Sequence, residues 1–368
     1  MTSAANNGPD GKNHKRDTQL DIYRALMMIY IPCVVHVIFW INKADEPWRS
    51  IVLFEMPVIF YISGATMFIT GKRRNILSTV KNRTKRIILP YYLYALITLL
   101  FVILISLFLP VRDEINRENL LKLATIQNNP FPFLPYIFHV WFIIPYLLVS
   151  CSFPIQKRLA DKANRWIYML ILLTILYLLQ PLWNYFDSSI SGCIRYAIYY
   201  NFFFMAGYLF YRQTSLKSLA IVTAISGIIL AISIFSDINS VGECVMQAHK
   251  FPPDMLFIYF GTFSICVLAL IFGNFTIPQN RILRHWNKYG YTIYLWQNIS
   301  FVSYVIIYRY SPLQHLSSYP ILDFIIAGTS IFVLSTLTSL AISPIETYII
   351  KSISKLFNLI LNSKKISK

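Results

Sequence analysis

The sequence predicts an all-α fold, a polytopic membrane bundle of about ten transmembrane helices with both termini in the cytoplasm. Three observations lead there. The 368 residues are 56% hydrophobic and only 13% charged, about half the charge of a typical soluble domain. Apolar runs of roughly 20 residues, the length that spans a bilayer, recur along the chain. The segments between them alternate in charge, as the positive-inside rule describes.

The runs fall at 20–41, 50–70, 87–109, 136–153, 166–183, 195–211, 217–236, 254–273, 290–310 and 321–343. One set of connecting segments comprises the N-terminal tail, 71–86, 154–165, 212–218, 274–289 and the C-terminal tail. This set holds 24 of the 33 Lys and Arg. The other set holds about eight, balanced by about ten acids. The cation-rich set is therefore expected in the cytoplasm. The net charge of +17 then follows from topology, and no nucleic-acid partner is expected. Residues 1–19 read as a flexible polar tail, 20–343 as the transmembrane domain, and 344–368 as a basic amphipathic segment lying on the inner face. No small-residue cleavage site follows the first run, so it reads as a retained span. These features predict a multi-pass protein of the cell (inner) membrane, with the bilayer as its first partner and room for association with a second copy. The five cysteines show neither CxxC nor metal-ligand spacing, so no metal and no bound cofactor is expected.

Ionisable residues inside membrane spans are costly and are functional candidates by default. The first span carries two, Arg24 and His36. At about 1.5 Å per residue they lie roughly 18 Å apart along the axis, with Arg24 toward the cytoplasm. Glu55 enters the second span from outside, and His139 enters the fourth. Counting places both at the level of His36, where Glu55 would orient the imidazole. The alternatives are a Glu55 pair with Arg195 and an interfacial role for His139 beside Trp141. Lys250, ahead of Pro252 and Pro253, reads as an acceptor contact or as part of a rigid outer loop. Before the third span, Lys72, Arg73, Arg74, Lys81, Arg83, Lys85 and Arg86 suit anionic lipid or a phosphorylated donor. Arg83 and Arg86, three apart, are expected to share one helix face.

Seven segments, in order along nearly the whole chain, resemble the acyltransferase-3 family of integral membrane acyltransferases. They are DIYRALMMIYIPCVVH, MPVIFYISGATMF, RTKRIILPYYLY, HVWFIIPYLL, NFFFMAGYLF, HKFPPDMLFIYFG and NKYGYTIYLWQN. The resemblance implies transfer of an acyl group, most often acetyl, from acyl-CoA to hydroxyls of surface polysaccharide, lipopolysaccharide, peptidoglycan or glycolipids. It implies that His36 is the catalytic histidine, Arg24 its partner, and Arg83 and Arg86 the donor-binding pair. Acetyl-CoA would be a co-substrate and a glycan or lipid-linked saccharide the acceptor.

Two departures from the family pattern stand out. The family usually places ten residues between arginine and histidine, and here there are eleven. On an ideal helix that extra residue turns His36 about 120° away from Arg24. A π-bulge near Pro32 would restore the phase. Gln297 stands where a histidine is common, and it hydrogen-bonds without shuttling protons. Gln297, Asn298 and Ser63 are therefore read as polar wall groups, with His36 as base or transient acyl carrier. The rival reading from a different class is a non-catalytic carrier or flippase for a polysaccharide or lipid-linked glycan.

Overall fold

The computed structural model describes residues 17–366 except 43, 71–74, 128–129, 137, 186–188, 274 and 313–318. Lys72, Arg73, Arg74 and most of the 1–19 tail lie outside the described residues. Twelve helices order the described chain. They are α1 Thr18–Asn42, α2 Trp48–Thr70, α3 Ile76–Ile105, α4 Arg117–Ala124, α5 His139–Ala160 and α6 Arg165–Trp183. There follow α7 Ser189–Phe210, α8 Leu216–Val241, α9 Met246–Lys250, α10 Met255–Phe272, α11 Arg281–Arg309 and α12 Pro320–Ile366. Among the described residues there is no strand.

Eight of these helices are long and apolar enough to cross a membrane, as befits a multi-pass membrane protein. The other two long helices, α7 of 22 residues and α11 of 29, are richer in polar and aromatic side chains. Their packing explains the difference. Helix α7 is surrounded by α2, α5, α6 and α10, and α11 by α1 and α12 with α3 nearby. They face protein, so lipid solubility does not constrain their composition. By contrast, the most apolar windows of α6 and α8 are only 11% buried, and Leu170, Leu178, Ile228 and Ile232 point outward.

Two cores result. One gathers around α7, with Tyr199, Tyr200, Phe203, Phe204 and Met205 almost fully enclosed. The other joins α1, α11 and α12 around Trp286, Phe301, Tyr304 and Ala327. Helices α2 and α7 cross at Gly64 and Gly207. A β-carbon on Gly64 would come within 1.8 Å of the Phe204 carbonyl oxygen, and one on Gly207 within 1.9 Å of that of Tyr61. Only glycine permits this backbone approach, the usual device for close helix packing in lipid.

Helix termini are tied down by caps. Asp17 caps α1 through the Gln19 and Leu20 amides and also binds Tyr211 and Arg212. As far as Ile366, the expected C-terminal segment continues α12, which runs through Pro344 without a break.

Candidate functional site

The extra residue between Arg24 and His36 is absorbed as a local widening of α1. Residues Ile31–Val35 form a π-helical turn with Pro32 near its start, and the His36 amide reaches back to the Ile31 carbonyl. Proline lacks the N–H that an α-helix would use at that point, so the wide turn forms where the ladder is already interrupted. The phase is restored. Arg24 Nη1 contacts Asn287 Oδ1 at 3.3 Å, and His36 Nδ1 bonds Gln297 Oε1 at 2.7 Å. Both partners lie on α11.

Gln297 is fully buried. Its carbonyl oxygen is an acceptor only, so the bond requires Nδ1–H on His36. That tautomer leaves the imidazole Nε2 lone pair available. The ring stacks on Trp40, with centroids 4.0 Å apart and planes 12° from parallel. Tyr294 and Phe301 approach its edge at 6.3 Å each. Tyr136 stacks on Trp40 at 5.4 Å while holding φ at 64°, a conformation a bulky residue adopts only when packing enforces it. His36 is half-buried, keeping some accessible surface.

Arg24 is also held by Thr66, 2.5 Å from Nη2, and by Asp21 at 3.4 Å. These contacts tie α1, α2 and α11 together toward the N-terminal end of α1. Arg83 lies over the Tyr146 ring at 5.1 Å. Arg86 lies within the π-helical Thr84–Ile88 turn and is exposed, whereas Arg83 is partly buried.

The expected contact between Glu55 and His36 is replaced by another. Glu55 is buried and takes its hydrogen bond from Lys250 Nζ, which is itself only 4% exposed. Lys250 also lies 5.1 Å from the Phe251 ring centroid and 6.0 Å from that of Trp141. The orienting role proposed for Glu55 therefore falls to Gln297. The alternative partner of Glu55, Arg195, donates Nε to the Pro253 carbonyl at 2.9 Å instead. Lys250 is an inward plug beneath α9, away from the exposed surface an acceptor contact needs. The second Glu55 oxygen, Oε2, is buried without a protein partner.

His139 is buried, with Nδ1 3.2 Å from the Tyr136 carbonyl and Nε2 3.2 Å from that of Leu295. Its own carbonyl accepts the Tyr294 hydroxyl. Both ring partners are acceptors, so the neutral ring donates to one of them only; buried between these carbonyls, His139 packs in the wall around His36. Asn298 Oδ1 and Gln297 Nε2 are buried without protein partners, while Ser63 bonds back to the Ile59 carbonyl. A cleft of about 310 Å³ between α5, α6 and α7 has mainly apolar walls, and His36 is not among them.

A second polar group lies where the C-terminal end of α8 meets α9 and the N-terminal end of α10. His249 bonds Asp254 through Nδ1 at 2.7 Å and Asp237 through Nε2 at 3.0 Å. The Asp254 carboxylate, with help from Asp237, raises its pKa to about 9. Burial, together with Asp237, pushes the neighbouring Cys244 thiol up to about 11. Sequence reasoning missed this group because its members sit on a helix end, a loop, a short helix and a helix cap.

Residues 17–344 match a family model described as an acyltransferase domain. Comparison with curated proteins and with solved structures returns no match.

Proposed function

Because the chain belongs to the acyltransferase-3 family, we propose that it is an O-acyltransferase that moves an acyl group, acetyl foremost, from acyl-CoA to a hydroxyl of a cell-surface glycan or its lipid-linked precursor. One observation carries the reading: the Nδ1–H of His36 is held by Gln297 at 2.7 Å, which leaves Nε2 as a base in a partly accessible position.

In the proposed reaction, His36 Nε2 takes the proton of the acceptor hydroxyl as its oxygen attacks the thioester carbon. The tetrahedral adduct collapses, the C–S bond breaks, and the departing thiolate takes the proton back from His36. The spare Nε2–H of buried Gln297 is the kind of donor a developing oxyanion needs. Gln297 is thus a positioning residue for His36 and a candidate oxyanion donor.

Donor binding is assigned to the cytoplasmic side. Arg83 would meet the phosphates in the forked geometry typical of arginine. From Tyr146 a run of rings leads inward: Phe142 at 6.4 Å from Tyr146, Tyr294 at 4.9 Å from Phe142, and His36 at 6.3 Å from Tyr294. That wall suits a pantetheine arm. Arg24 fixes the cytoplasmic end of α1 against α2 and α11. The cation alternation supports ten spans, counting α7 and α11, with both termini cytoplasmic in the inner membrane.

The test supplies labelled acetyl-CoA to membranes containing the protein. Wild type is expected to label glycan, and His36→Ala to lose the label while remaining inserted. Full labelling by His36→Ala would overturn the assignment. Loss of glycan export with unchanged acylation would favour a carrier instead.

A further inference from the structure

We propose that Asp237, Cys244 and His249 form a binding site for a borderline-soft divalent cation, zinc in the first instance, on the outer face of the molecule. One ligand atom from each residue lies within 4.8 Å of the other two. The set is a carboxylate oxygen, a thiol sulfur and an imidazole nitrogen. Hard cations such as calcium or magnesium prefer all-oxygen sites, whereas sulfur and imidazole together select zinc-like ions.

The outer shell of such a site is already in place. A metal-bound histidine usually gives its other ring nitrogen to a carboxylate, which fixes the ring. Here Asp254 Oδ2 takes His249 Nδ1 at 2.7 Å and so directs Nε2 toward Asp237. Asp254 is itself anchored, because Oδ1 caps α10 by accepting the Phe257 amide at 3.1 Å. His249 and Asp254 are also linked through the backbone, amide to carbonyl, at 3.2 Å. The side chains of His249, Asp237 and Asp254 are only 16%, 19% and 20% exposed. Glu46 adds a further negative charge near Cys244, and Lys250 is the adjoining cation, turned inward to Glu55.

Binding would replace two protons with one ion. The Cys244 Sγ–H and the His249 Nε2–H bonds give their protons to solvent, and bonds from the metal to Sγ, Nε2 and an Asp237 oxygen form. Three protein ligands leave a fourth tetrahedral position for water. The consequence is mechanical: the end of α8 would be clamped to α9, the helix whose last residue is Lys250.

The experiment titrates the purified full-length protein in detergent with Co2+ alone. Saturable binding of one ion per chain is expected, with thiolate-to-cobalt charge-transfer absorption that Zn2+ abolishes by competition. Cys244→Ser should remove that absorption. Asp254→Asn should weaken binding about 10- to 100-fold, the usual effect of losing an outer-shell carboxylate. A zinc-dependent rise in melting temperature, seen in wild type and absent in Cys244→Ser, provides a readout independent of activity. No saturable Co2+ binding by wild type, binding unaltered in Cys244→Ser, or Ca2+ binding in place of Co2+ would overturn the proposal.

Discussion

Two polar pairs sit within electrostatic reach of each other in this bundle, and they are built differently. His36 and Gln297 belong to the half organised by α11; Glu55 and Lys250 belong to the half organised by α7. The first pair is a neutral acceptor holding one nitrogen of an imidazole whose other nitrogen is unspent. The second is a carboxylate and an ammonium sealed against each other, each 4% exposed. A group that handles a proton needs an open lone pair and some access. A buried ion pair needs the opposite, since its charges are tolerable only while matched. The contrast assigns chemistry to the first pair and integrity to the second.

The comparison breaks first at His36. His36→Ala is expected to reduce acyl transfer by about 10²- to 10⁴-fold, the range for loss of a general base, with an unchanged melting temperature. A parallel loss of stability would move His36 into the structural class. On the other side, Lys250→Met should destabilise the protein by about 3–5 kcal/mol, because it strands the Glu55 carboxylate. The double variant Lys250→Met with Glu55→Gln should recover a large part of that loss in denaturant melts. Residual activity per folded molecule should stay close to wild type throughout this series.

Gln297→Leu sharpens the first pair. It should lower kcat by roughly tenfold to 10²-fold, the lower part of the general-base range, with little change in KM for the donor. Gln297→Glu keeps an acceptor on Nδ1–H but loses the Nε2–H donor, so it should restore only part of the rate. Smaller still is the donor effect. Arg83→Ala is expected to raise the KM for acyl-CoA about tenfold, as loss of a charge-assisted bond does. Exposed Arg86→Ala should raise it less, a split that kinetics at several salt concentrations will resolve.

The smallest effect is electrostatic and lies in α9, at His249. In chelator-treated protein, His249 binds its proton more tightly when folded, with a pKa of about 9 against an unfolded value of 6.5. A raised folded value means that the contribution is complete below pH 6.5 and is lost as pH rises through 9. Melting temperature should therefore decline across that window, and Asp254→Asn should flatten the decline.

Much of this was legible from sequence, and the illegible part has a common cause. The apolar runs and the charged loops fix membrane architecture because lipid reads composition directly. The one-residue excess before His36, together with Pro32, pointed to a π turn, and that turn is present. Pairings between spans were not legible. Gln297 lies 261 residues from His36, and Lys250 lies 195 from Glu55. Depth counting gives height along the normal and says nothing of azimuth. Which neighbour a side chain meets at its own level depends on helix rotation, set here by contacts such as the Gly64–Gly207 crossing. Arg83 and Arg86 illustrate the same gap, since spacing did not say that one would lie over the Tyr146 ring and the other would be exposed.

The wide turn at Ile31–Val35, which a second π-helical stretch follows at Val37–Asn42, also makes chain length negotiable between Arg24 and His36. It works like a slack stitch, storing one residue that the seam ahead of His36 does not need. Removing Val34 would draw the stitch tight, turning the wide loop into an ordinary helical one and leaving both Arg24 and His36 still aimed at α11. Adding a residue there has no comparable outlet, because the slack is already taken up. This helix should thus forgive a deletion and refuse an insertion at the same spot, an asymmetry that a regular helix does not have.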